Sequence, residues 1–169
     1  PKGDLDAKIA YLYTALQKID NMPKEDKQYF LMLANLLVKT HPKEAKANAL
    51  MGDFYFLSDS NTNALKFYRK SLAIQSDVYA VWQQFFSILL EEKLFQELSD
   101  STNAAIEIYP TQGPTFYFGG LANYYLKNYD VAEKRFKRAL VLSGENQMLK
   151  AQIKALLGDL YFEQKRFDE

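Results

Sequence analysis

The sequence predicts an all-α chain of about nine helices, arranged as antiparallel helical hairpins in an α-solenoid. Three observations point there. Apolar residues recur at helical spacing along the chain, interrupted by short clusters of turn formers. A pattern of small and aromatic residues repeats, so that Ala45, Tyr79 and Gly113 stand at equivalent positions 34 residues apart. With 7 Gly and 5 Pro in 169 residues, there is little material for long loops.

The elements follow in order. From Asp4 to Asp20, Leu5, Ile9, Leu12, Tyr13, Leu16 and Ile19 keep one helical face apolar. Asn21-Met22-Pro23 breaks the run, and Pro23 suits the first turn of a second helix over Lys24 to Lys39. That helix should bury Phe30, Leu33, Ala34, Leu37 and Val38. Residues 1–44 thus form a divergent, capping hairpin, closed by His41-Pro42.

Three regular units come next, over 45–78, 79–112 and 113–146, and an incomplete fifth over 147–169. The first carries Gly52, Tyr55, Ala64, Tyr68 and Ser71, with a turn at Ser58-Asp59-Ser60-Asn61-Thr62. In the second come Trp82, Phe86, Phe95, Leu98, Ala105 and Pro110, and in the third Phe116, Gly120, Tyr129, Ala132, Phe136 and Ala139. The fifth starts with Leu157, Gly158 and Tyr161 and reaches Phe167. Between Gly120 and Gly158 the step grows to 38, an insertion of about one helical turn that keeps the apolar face aligned. In the hairpin from Gly113, Gly120 removes a side chain where the partner helix would otherwise collide with it.

Composition excludes several classes. Lys+Arg and Asp+Glu are equal at 21, so the net charge is zero and no bulk field favours nucleic acid. No apolar run approaches the length that spans a bilayer, so no membrane insertion is expected within this segment. Cysteine is absent, which excludes disulfides and leaves the compartment open.

Candidate chemistry is sparse. His41, the single histidine, sits at a helix end and favours the last carbonyls, and no cluster of metal ligands accompanies it. Glu91-Glu92, Asp100 and Asp130 read as solvated helix faces, and Gly119-Gly120 lacks the strand context of a phosphate loop. Lys134, Arg135, Lys137 and Arg138 lie outward of the stripe Ala132, Phe136 and Ala139 and read as solvated. No catalytic, cofactor or metal residue is predicted, and the chain is read as a non-enzyme.

The 34-residue period with these residues resembles the tetratricopeptide repeat (TPR). The resemblance rests on Gly52, Tyr55, Ala64 and Tyr68, on Trp82, Ala105 and Pro110, and on Phe116, Gly120, Ala132, Phe136 and Ala139. Departures stand at Asn48 in an aromatic slot, Ser71 in an alanine slot, Phe86 in a glycine slot and Asn123 in a tyrosine slot. It implies a right-handed superhelix, a segment of a longer protein of this type, and a concave groove lined by the first helix of each unit. On this sequence the groove residues are Phe56, Gln83, Ser87, Leu90, Tyr117, Leu121, Tyr124 and Tyr125.

One branch of the family clamps a C-terminal carboxylate with lysine and asparagine. The corresponding positions here hold Ala49 and Asp53, Gln83 and Ser87, and Tyr117 and Leu121, so that clamp is absent. An aromatic groove instead implies a protein-interaction scaffold that takes a peptide or partner surface. Two other readings stand beside it: a regulatory or substrate-docking segment of a larger enzyme, and a carbohydrate-binding platform. The last helix, with Leu156, Leu157, Leu160 and Phe162, is expected to expose apolar surface and drive self-association.

Overall fold

A computed structural model of the protein describes residues 2–166 and 168. Phe167, expected in the fifth unit, lies outside the described residues. Among these, every regular element is helical. The chain divides into two compact units, one running to Val81 and the other starting at Trp82.

The first unit holds α1 (Lys2–Leu16), α2 (Lys24–Thr40), α3 (Ala45–Phe56) and α4 (Asn61–Ile74). The first helix ends at Leu16, four residues short of the expected Asp20, and a 3-10 turn covers Ile19–Asn21. Pro23 holds Met22 extended at φ −84° and ψ 144°, which ends the 3-10 turn. Pro23 itself stands just outside α2, at its N-cap.

The core gathers Leu12, Leu37, Leu50, Met51 and Phe54, with α1 packed on α2 and α3. Between α3 and α4, Gly52 receives the ring of Tyr68, which is fully buried; a Cβ there would lie 2.7 Å from the ring. The departures in this unit make hydrogen bonds to the backbone, although the buried Asn48 Oδ1 has no partner among the described residues. Asn48, fully buried, donates from Nδ2 to the Glu44 carbonyl at 2.8 Å and the Pro42 carbonyl at 3.1 Å. Ser71 donates to the Ala45 carbonyl at 2.9 Å.

The second unit holds most of α5 (Tyr79–Glu91), then α6 (Phe95–Ile108), α7 (Gly113–Tyr125), α8 (Tyr129–Leu142) and α9 (Gln147–Glu163). Helices α6 to α9 pack each on the next around Phe116, Phe136, Ile153, Leu157 and Leu160. Gly120 takes the Phe136 ring as Gly52 takes Tyr68, with a would-be Cβ at 2.5 Å. In the hairpin α5–α6 the same register positions hold other residues. Phe86 fills the glycine position, and Thr102 stands where the ring would be; both are fully buried.

Four backbone turns share one geometry. Asp59, Lys93, Lys127 and Lys165 have left-handed φ of 53°, 57°, 61° and 58°. Each is followed by an amide that reaches back five residues: Ser60 to Tyr55, Leu94 to Leu89, Asn128 to Asn123, and Arg166 to Tyr161, at 2.8–2.9 Å. This bond satisfies a carbonyl at the helix end and reverses the chain.

Candidate partner-binding surface

Of the eight groove residues, Phe56 belongs to the first unit, where it is half-buried at the end of α3. The other seven lie in the second unit. Gln83 and Ser87 are exposed on α5, and the Ser87 hydroxyl is used locally, donating to the Gln83 carbonyl at 3.0 Å. Leu90, Tyr117, Leu121 and Tyr124 belong to one apolar cluster. Leu121 is only 5% exposed and is part of the core. Position along a helix fixes a face only to within one residue, and here the face turns inward.

The aromatic residues of α7 form the outer layer of that cluster. Tyr117 packs edge-on against Phe118 at 5.7 Å between ring centroids and tilts towards Phe136. Tyr124 lies between Tyr125 and Tyr129, at 5.6 and 6.0 Å. Burial raises the Tyr124 hydroxyl pKa, and the negative charges of Asp159 and Glu163 on α9 add to it. Tyr125 is 52% exposed and lies flat on Phe95, 4.5 Å between centroids and 15° between planes. Phe95 was not legible as a partner, because the stack joins the first residue of α6 to the last of α7.

In the first unit, Asp53 anchors a polar cluster that the periodic pattern did not show. Its carboxylate accepts from the Tyr68 hydroxyl at 2.5 Å and is hydrogen-bonded to Tyr13 of α1. Burial pushes its pKa up to about 6, against the opposing pull of the two tyrosine hydroxyls. Lys46 pairs with Asp6 at 3.0 Å on the solvent side of the same helix pair.

Three basic residues of α8 are engaged within the unit, and Lys134 is exposed. Lys137 meets Glu133 at 2.6 Å, Arg135 donates to Asn103 at 2.7 Å, and Arg135 and Arg138 both lie over the Phe116 ring. Glu133 also takes Arg166 at 2.7 Å, and these partners hold its pKa down at about 2. Of the last-helix residues expected to be exposed, Leu157 and Leu160 turn inward to α8, at 8% and 0%, and Phe162 stands out at 70%. Among the described residues, no group of three or more His, Cys, Asp or Glu side chains could hold a metal, and no helix is long and apolar enough to cross a membrane.

Helical hairpins with glycine–ring seats make a fold of tetratricopeptide-repeat type. Solved structures agree. A MamA from Desulfovibrio magneticus RS-1 superimposes with a TM-score of 0.76 at 14% identity, over 95% of this chain and 88% of that one. PilF of Pseudomonas aeruginosa gives 0.71 at 21% identity, over 95% and 70%. The first TPR domain of Spaghetti (RPAP3), bound to the HSP90 peptide SRMEEVD, gives 0.61 at 19% identity, over 69% and 93%. At these identities the similarity is one of fold. No protein-family model and no curated protein matches the sequence.

Proposed function

We propose that the protein is a non-catalytic interaction scaffold whose α7 surface, built from Tyr117, Tyr124 and Tyr125, binds a peptide segment of a partner protein. The stacked pair Tyr125–Phe95 carries the proposal. A half-exposed tyrosine held flat on a second ring is a rigid apolar platform with a free edge, and such a ring loses little entropy on binding. The fold supports the class of partner, since one structural neighbour holds a peptide. The negative charges of Asp159 and Glu163 acting on Tyr124 favour a segment with apolar side chains and a lysine or arginine among them.

Selection from a displayed peptide library against the chain tests this. Enriched peptides should be apolar and basic, and Tyr117→Ala/Tyr124→Ala should weaken them by about tenfold or more. Tyr125→Ala, which removes a half-exposed ring, gives a second variant that keeps the core intact. Circular dichroism verifies the helices. Equal affinity for wild type and both variants would end the proposal.

A further inference from the structure

The first unit holds a carboxylate that the fold half-buries and does not neutralise. Helices α1 and α3 lie side by side and run in one direction, since Asp6 meets Lys46 and Tyr13 meets Asp53, each pair 40 residues apart. Two helical turns, about 10 Å, separate the two contacts. At the first, ammonium and carboxylate neutralise each other at 3.0 Å. At the second a carboxylate stands without a cation.

Asp53 accepts from the Tyr68 hydroxyl of α4 and is hydrogen-bonded to Tyr13 of α1. These hydroxyls solvate its charge without cancelling it. Among the described residues no cation lies against it, and Lys46, the one cation of α3, is committed to Asp6. An ionised carboxylate offers about four acceptor sites, so two hydroxyls leave about half of them. A charge drawn out of water in this way is costly until an opposite charge meets it. Burial raises the pKa to about 6, which still leaves the group ionised at neutral pH.

The surroundings suit a long apolar stem that ends in a positive charge. One turn beyond Tyr13 and Asp53, on the same faces, Leu16 and Phe56 are half-buried at the ends of α1 and α3. Leu57 follows and is 41% exposed. Such a wall covers methylene groups while the charged head of the same side chain reaches past it.

We propose that Asp53, framed by Tyr13 and Tyr68, is a binding site for a lysine side chain of a partner peptide, its methylenes on Leu16 and Phe56 and its ammonium on the carboxylate. The site belongs to the first unit and does not depend on the reading of the α7 surface in the second.

The probe is an alanine pentapeptide with lysine at its centre, acetylated and amidated to remove the terminal charges. Titrated into the isotopically labelled chain and followed by NMR, it should give saturable shifts centred on the α1 and α3 amides around Tyr13 and Asp53. Norleucine in place of the lysine keeps the stem and removes the charge, with the protein untouched; it should weaken binding by about tenfold or more. Asp53→Asn should do the same. That variant keeps the shape of the side chain and removes a half-buried charge, so the helices persist, as circular dichroism verifies. Tyr125→Ala should leave the affinity for this probe unchanged. Shifts that do not saturate, or an affinity indifferent to norleucine or to Asp53→Asn, overturn the proposal, and the carboxylate then serves only to join α1, α3 and α4. An affinity lowered by Tyr125→Ala also overturns it, by moving the lysine to α7. So does tighter binding of spermidine than of the peptide, which would make the occupant a free polyamine.

Discussion

A single glycine can be structural for opposite reasons, and three glycines in register show it. At Gly52 and Gly120 an added methyl would meet Tyr68 and Phe136 at 2.7 and 2.5 Å, closer than side-chain packing allows. Both rings are fully buried and cannot give way. Gly52→Ala and Gly120→Ala should therefore each lose about 1–3 kcal/mol to overpacking, less the roughly 1 kcal/mol that alanine recovers as a helix former. Gly158→Ala meets open space and keeps only that gain, so it should stabilise by about 0.5–1 kcal/mol. Urea unfolding of the three variants decides the matter, and a common sign for all three would refute the seat geometry. This part of the architecture was legible, because a glycine and a ring sixteen residues later recur along the sequence. Asp53 was not. Its bonds reach Tyr13 and Tyr68, and nothing in a local spacing links a carboxylate on α3 to a tyrosine on α1.

At the scale of the helix pair, the hairpin α5–α6 differs from its neighbours at both positions of the glycine–ring seat. The register puts Phe86 where the other units have glycine and Thr102 where they have a ring, and both are fully buried. Phe86→Gly alone should cost about 3–5 kcal/mol, as ring deletions in cores do. Thr102→Phe alone should be costly through overpacking. The double substitution should recover about 1–3 kcal/mol of the summed loss, a coupling that a double-mutant cycle measures directly. Additive losses would mean that the two side chains do not share one space. The starts of α3, α5 and α7 at Ala45, Tyr79 and Gly113 were readable from the 34-residue step. The stack of Tyr125 on Phe95 was not, since it joins two helix termini whose approach depends on the turns rather than on either helix's periodicity.

For the whole molecule, two carboxylates with opposite environments set the response to pH, one in each compact unit. Asp53 is buried with a pKa of about 6 against an ordinary 3.8, so the folded chain holds its proton more tightly than the unfolded one. Its contribution is fully present below pH 4 and is lost as pH rises through 6, an effect of up to about 3 kcal/mol. Glu133 is held at about 2 against 4.5 by Arg166 and Lys137. Its contribution is present above pH 4.5 and is lost as pH falls towards 2. Stability should therefore peak between about pH 4 and 5 and decline on both sides. Asp53→Asn should flatten the limb between about pH 4 and 6, and Glu133→Gln the limb below about pH 4.5. Hydrogen exchange assigns each limb to its unit, because Asp53 acts on α1, α3 and α4 and Glu133 on α8 and α9. A neutral-side limb that survives Asp53→Asn would show that the carboxylate is solvated. The bond to Tyr13 would then not be what fastens α1 to α3.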